Sequence, residues 1–293
     1  MVRISSLHPI TAAFYFVSVA LYSALIQNPI IHFVSFIGAF AYYSVLRDLK
    51  NSFKDLRFFV LLIVSLALLN PLFSHNGETV LFFINSNPIT LESFLYGANL
   101  GMMLLSVVFW FKCISEVMNE EKLLCIFGRF SARLALVISM SLRFVPTFKR
   151  QAKRIENAQK VLGMYSSDSM PDRIKSKARV FSSLVNWAFE NAIDTAISMK
   201  CRGYGLRGRT GYNRYVFGKR DLLVLSITFA ADAVILMGMI LCEPDYRFYP
   251  QISTPVGTPE YALTLIAFAG LCALPMIIEV KEELAWKYYR SKI

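Results

Sequence analysis

Charge is scarce in this sequence. Asp, Glu, Lys and Arg make up 17% of its 293 residues, where a water-soluble protein carries about 25%. The apolar set reaches 55% and the mean hydropathy is +0.47, more apolar surface than one globular core absorbs. Disorder is excluded by the same composition, since a disordered chain is poor in large apolar residues and this one holds 24 Phe. The five cysteines, at 113, 125, 201, 242 and 272, are odd in number and lack any CxxC spacing. That pattern excludes a disulfide framework or a zinc site and reads as free, buried thiols. His8, His32 and His75 are scattered, HExxH is absent, and no pair of acids would face one metal from a spanning helix. The one Gly-Lys pair, Gly218-Lys219, precedes Arg220 and not Ser or Thr, so the chain has no phosphate-cradling loop of its own. Nor are there Asp residues on neighbouring turns of the kind a membrane transferase needs. No catalytic, cofactor-binding or metal-binding constellation is expected. A single Arg3 before the first apolar run, with no small-residue cleavage pattern, predicts that this run stays as an anchor and not as a removable leader.

What is present is a series of about six apolar windows, 10–26, 29–46, 58–73, 93–115, 222–242 and 261–280, each near the roughly 20 residues that cross a bilayer. Gln27 and Asn28 leave room only for a tight reversal between the first two. Asn70-Pro71 predicts a kink or exit from the third, and Gly97 with Gly101 forms a GxxxG that would let the fourth approach a neighbour closely. The charges fix an orientation. Of 31 Lys and Arg, 30 fall in 1–9, 47–57, 112–220 and 281–293, leaving only Arg247 for the alternate loops. Positive loops face the cytoplasm, which predicts a multi-pass cell-membrane protein with both termini inside. The expected class is all-α and polytopic, about six transmembrane helices with a cytoplasmic helical domain between the fourth and fifth. Its expected divisions are 1–115, 116–220, 221–280 and a tail at 281–293.

The segment 112–220 holds 21 basic and 8 acidic residues, net +13, more than the whole chain's +11. It is not a linker. Phe148, Ala152, Ile155, Ala158 or Gln159, and Leu162 recur at helical spacing, with Lys149, Arg150, Lys153, Arg154, Glu156 and Lys160 on the other face. A wider apolar stripe runs through Phe181, Leu184, Val185, Ala188, Phe189, Ala192, Ile193, Ala196 and Ile197, and predicts a rigidly packed helix. Residues 166–171 break the pattern, with Asp172 suited to a helix first turn. Gly163, and Gly203 with Gly205, mark the two helix ends. Upstream, 129–148 reads as a helix against the inner membrane surface, bent by Pro146. Nucleic acid is disfavoured as the partner of this segment, because the apolar faces are too large and the aromatic and basic interleaving of a stacking platform is missing.

Two residues stand out. Asp232 lies near the middle of a span, where an ionisable group is functional, paired within the bundle, or facing solvent because the span is offset. Arg202 lies at the end of the second helix. A cation there is favoured by the helix dipole, and equally a guanidinium at a helix tip would grip carboxylates of another protein. The following Arg207, Arg209, Arg214, Lys219 and Arg220 lead into the fifth span, the last three as ordinary positive flanking.

The stretch from Leu142-Arg-Phe-Val-Pro-Thr through Arg154-Ile-Glu-Asn-Ala-Gln to Met199-Lys-Cys-Arg-Gly-Tyr-Gly resembles the transmembrane coupling (T) component of energy-coupling factor transporters, the family that includes cobalt-transport permeases. Leu7-His-Pro, Leu69-Asn-Pro-Leu-Phe-Ser-His and Asn87-Pro-Ile-Thr are similar too, so the resemblance spans most of the chain. It implies a non-catalytic subunit of an ATP-driven importer of a vitamin or transition-metal ion. Two cytoplasmic coupling helices would each end in an Ala-Arg-Gly-like signature that docks on one of two ABC-type ATPases, or on copies of one. Their motion would act on a separate small membrane subunit that binds the substrate. The second signature falls on Cys201, Arg202 and Gly203. The first falls on Val161, Leu162 and Gly163, keeping only the glycine, so this tip would dock by apolar packing, helped by Lys160. Apolar surface in 131–148 would suit sliding on the membrane partner. The competing reading is a self-contained secondary transporter or polytopic membrane enzyme, which would place polar groups or broken helices at the bilayer midplane.

Overall fold

The computed structural model describes residues 7–47, 49–74, 77–84, 87–163, 170–206, 215–242, 246, 248–249 and 259–290. Its elements are α1 (Pro9–Leu25), α2 (Pro29–Leu46), α3 (Leu49–Phe73), β1 (Val80–Ile84), β2 (Asn87–Thr90), α4 (Leu91–Val117), α5 (Glu120–Phe130), α6 (Ala132–Val161), α7 (Met170–Cys201), α8 (Lys219–Cys242) and α9 (Pro259–Arg290). They fall into two compact units, one of Met1–Leu123 with Tyr215–Ile293 and one of Leu124–Arg214.

The first unit is a membrane bundle. Five helices, α2, α3, α4, α8 and α9, are long and apolar enough to span, and α1 is a shorter apolar helix of 17 residues. Large apolar side chains such as Leu61, Leu68, Ile240 and Ile266 are 61–80% exposed along them, as a lipid-facing surface requires. The helix starts follow from local chemistry. Pro at the first position of α1 and α2 follows a capping residue, His8 or Asn28, whose side chain accepts from the N–H of Ile10 (3.3 Å) or Ile30 (3.0 Å). Asp221 then ties the start of α1 to that of α8, accepting from the N–H groups of His8 (2.7 Å) and Gly218 (2.9 Å).

Lipid is as apolar as the core, so association of spans rests on close packing and internal hydrogen bonds. Phe109 of α4 is fully buried and meets Phe36, Phe40, Tyr43 and Phe59 edge-on at ring-centroid distances of 5.7–5.8 Å. Trp110 Nε1 donates to Ser35 Oγ at 3.0 Å, and Tyr15 OH to the Leu271 carbonyl at 2.8 Å. A Cβ on Gly97 would stand 2.7 Å from Asn70 Cβ, and one on Gly101 would stand 3.0 Å from Ile63 Cα. The GxxxG is therefore the contact face of α4 on α3.

Several expectations are revised. The all-α class holds, and among the described residues one antiparallel hairpin, β1 paired with β2, is added to it, which the apolar run between the third and fourth spans concealed. The helix α3 ends at Phe73, two residues past Pro71, in keeping with the exit expected there, and Asn70 Nδ2 donates to the Ser93 carbonyl at 2.7 Å. Residues 129–148 and 148–162, read separately, belong mostly to one 30-residue helix, α6, which runs through Pro146. Proline removes one donor there but a helix this long keeps the bonds on either side. The short amphipathic α5 is an addition to the expected elements.

Candidate helix-tip docking site

The second unit is built on α6 and α7, of 30 and 32 residues, about 45 and 48 Å long at 1.5 Å per residue. Ser131 caps α6 by accepting from the N–H of Leu134 at 3.4 Å, and Asp172 sits in the first turn of α7, where a carboxylate suits the positive end of the helix dipole. The helices meet at Phe148 and Trp187, whose rings pack edge to face at 5.7 Å, with Phe144 stacked on Phe148. They run antiparallel. The first half of α6 (Leu136, Met140, Arg143) lines one cleft with the last turns of α7 (Asp194, Ser198, Arg202), while at the other end Lys177 acts on Glu156. The two C-terminal tips therefore lie at opposite ends of the pair. From Phe148 to Leu162 is about 21 Å and from Trp187 to Arg202 about 22 Å, so the arms are nearly equal.

Both tips close in the same way. Gly203 has φ +78° and Gly163 φ +71°, a left-handed turn that glycine adopts without strain. At the second tip the N–H of Tyr204 donates to the Met199 carbonyl (3.0 Å) and that of Gly203 to Lys200 (2.9 Å), a complete Schellman closure. At the first, the N–H of Gly163 donates to the Lys160 carbonyl at 3.1 Å. Cys201 thus matches Val161, Arg202 matches Leu162, and Gly203 matches Gly163.

Their chemistry differs. Val161 and Leu162 are 88% and 71% exposed, and Lys160 is held by Glu156 at 2.8 Å, which keeps that carboxyl below its ordinary range. The first tip is therefore apolar with its cation already engaged. At the second, Cys201 and Arg202 are exposed, and the Arg202 side chain has no hydrogen bond or ion pair among the described residues. The two candidate signatures are not brought together; they are two separate surfaces.

The wide stripe of α7, expected to be packed, is only partly covered: Leu184, Val185 and Ala188 are half-buried. Phe181, Phe189, Ile193 and Ile197 are 56–67% exposed, while Ser176, Leu184, Trp187, Asn191 and Met199 are the less exposed positions. Leu134, Val137 and Val145 of α6 are likewise 57–63% exposed.

Asp232 is 7% exposed and accepts from Ser18 Oγ at 2.9 Å, so it is partnered within the bundle. Asp221, which anchors His8, carries no local signal in the sequence beyond the His-Pro start of α1. Arg207, Arg209, Arg214, His75 and residues 166–169 lie outside the described residues. Among the described residues no group of three His, Cys, Asp or Glu is placed to hold a metal ion.

Comparison with known proteins gives a consistent result. Residues 3–212 match the family model of CbiQ, described as cobalt transport protein. The chain is 35% identical over 122 residues to the energy-coupling factor transporter transmembrane protein EcfT of Streptococcus thermophilus, covering 41% of this chain and 44% of that protein. It is 31% identical over 176 residues to EcfT of Listeria innocua, 55% and 66% of the two chains, and 27% identical over 194 residues to EcfT of Bacillus selenitireducens, 62% and 72%. The aligned parts thus span from under half to about seven tenths of these relatives.

Proposed function

Because the chain belongs to the CbiQ family of cobalt transport proteins, we propose that it is the non-catalytic transmembrane coupling subunit of an ATP-driven, energy-coupling factor importer of a vitamin or transition-metal ion. The observation that carries this is the pair of exposed, glycine-closed tips, Leu162-Gly163 and Arg202-Gly203, at opposite ends of two long antiparallel helices. A pair of tips on equal arms suits two ATP-binding subunits, or two copies of one, each taking one tip. Closure of the ATPases would then turn one rigid body about the Phe148–Trp187 contact. The names of the relatives as energy-coupling factor transporter transmembrane proteins support the same role.

ATP hydrolysis belongs to the partners in this reading, since the chain has no phosphate-binding loop of its own. The exposed apolar faces of α7 (Phe181, Phe189, Ile193, Ile197) and α6 (Leu134, Val137, Val145) are large for a solvated helix and suit a small membrane subunit that binds the substrate. The distribution of Lys and Arg supports a cell-membrane location with both termini and 116–220 on the cytoplasmic side. Purification of the tagged chain in mild detergent, followed by mass spectrometry, tests the assignment. Co-purifying ATP-binding-cassette subunits and a small membrane protein are expected; recovery of this chain alone contradicts it.

A further inference from the structure

The Leu142-Arg-Phe-Val-Pro stretch has no part in the tip signatures, yet the fold brings its arginine to one of them. Arg143 of α6 and Arg202 at the end of α7 line the same cleft of about 470 Å³, with Asp194 and Ser198 on its wall and Met140 and Met199 among its apolar lining. Both guanidiniums are exposed, and neither makes an ion pair among the described residues. The only partner of the Arg143 guanidinium among the described residues is the ring of Phe144, 5.8 Å away. The Asp194 carboxylate likewise has no ion pair among the described residues, so two cations and one anion share a cleft without satisfying one another.

We propose that Arg143 is a second docking cation, and that the cleft it shares with Arg202 takes an acidic segment of the ATP-hydrolysing partner. This rests on the function proposed above and adds a residue and a ligand chemistry to it. Two planar guanidiniums from two helices offer ten N–H donors at fixed positions, which matches more than one carboxylate or carbonyl. The cleft holds roughly 15 waters' worth of space at about 30 Å³ each, enough for several side chains. Methionine and leucine side chains around it lower the local dielectric and strengthen the contact. The surrounding unit, 124–214, carries 17 basic and 5 acidic residues, net +12, which steers an acidic surface toward it. Asp194 decides between a peptide and a lipid headgroup. Its charge opposes a phosphodiester and an acidic side chain alike, but it accepts a hydrogen bond from the backbone N–H groups that a peptide segment carries and a phosphodiester lacks.

The test uses the full chain purified with its co-expressed ATP-binding subunits, in wild-type, Arg143→Glu, Arg143→Gln, Arg202→Glu and Arg133→Glu forms, washed at rising salt. Arg133 is exposed on α6 and does not line the cleft. At least a tenfold loss of ATP-binding subunits is expected for Arg143→Glu and Arg202→Glu, and a loss of about fivefold for Arg143→Gln, with Arg133→Glu like wild type. Loss with Arg202→Glu but wild-type recovery with both Arg143 variants overturns this inference and leaves the coupling function standing. Recovery of no ATP-binding subunit even by wild type overturns both. If Arg143→Glu loses helicity by circular dichroism, Arg143→Gln decides in the same two directions. Flotation with phosphatidylglycerol vesicles is the further arm, and loss of vesicle binding with intact ATPase recovery overturns the peptide assignment in favour of lipid.

Discussion

Arg202 and Leu162 occupy equivalent positions on their helices, each the residue before a left-handed glycine, Gly203 at φ +78° and Gly163 at φ +71°. The backbone presents both side chains alike, so the difference between the tips is one of side-chain chemistry. The account therefore predicts unequal responses to substitution. Arg202→Leu lowers recovery of ATP-binding subunits at least tenfold, since breaking a charged interfacial contact costs about 2–5 kcal/mol. Leu162→Ala costs only about two- to fivefold, and its residual binding is insensitive to salt, whereas wild-type binding at the second tip weakens as salt screens the charge. Quantitative co-purification at 50 and 500 mM salt, on the order of the screening range, measures both.

Gly203→Ala forces a side chain into a left-handed conformation at a cost of about 1–2 kcal/mol, with Arg202 unchanged. Faster hydrogen exchange at the Gly203 and Tyr204 amides, which close on Lys200 and Met199, is expected. Unchanged protection there would mean that the closure is not held by the glycine.

Gly97 sets how closely α3 and α4 approach. Gly97→Leu, whose first carbon already stands 2.7 Å from Asn70 Cβ and 2.9 Å from the Leu66 carbonyl, separates the two spans and breaks the Asn70–Ser93 bond. Destabilisation of about 3 kcal/mol or more is expected from overpacking and the lost bond together, read as a fall in the detergent-phase melting temperature. Gly270→Leu, at a glycine with open space around it, is expected to melt near wild type.

Lys112 is the hub of a polar lock among three spans. Its Nζ lies 2.5 Å from Asp55 Oδ2 and within 5.6 Å of the Tyr43, Phe59 and Phe109 ring centroids, and Tyr43 OH also donates to Asp55 at 3.0 Å. Both charged side chains are about 30% exposed, so solvent screening moderates the pair. A double-mutant cycle of Lys112→Met and Asp55→Asn is predicted to give a coupling energy of about 1 kcal/mol, with each single variant less stable than the double. Additive effects would show that the two residues act independently.

The legible features were those with a local cause. Apolar windows, the Lys and Arg asymmetry, the glycine helix ends at Gly163 and Gly203, and Asp172 in a first turn are each fixed by neighbours within a few residues. Pairings across long separations were not legible. Nothing in the sequence joins His8 to Asp221, or Arg143 to Arg202, because each pair forms only when the helices fold together. The α7 stripe was legible as a face and as a packed one, yet Phe181, Phe189, Ile193 and Ile197 on it are exposed. Periodicity reports that one side of a helix is apolar, not what covers it, and α6 meets α7 at Trp187, outside the stripe. The β1–β2 hairpin was concealed because an apolar run of five residues, Val80–Ile84, has no period that separates strand from helix.

The central claim is that the tip bearing Arg202 rests on an ATP-binding subunit. Cys201 is exposed beside it, so a chain in which Cys201 is the sole cysteine carries a photo-crosslinker to the contact itself. Illumination of the purified complex is predicted to join Cys201 covalently to an ATP-binding subunit, with a yield that changes between ATP-bound and nucleotide-free states and falls at least tenfold with Arg202→Glu. Adducts only with lipid, or an ATPase adduct of equal yield in the Arg202→Glu chain, would contradict it.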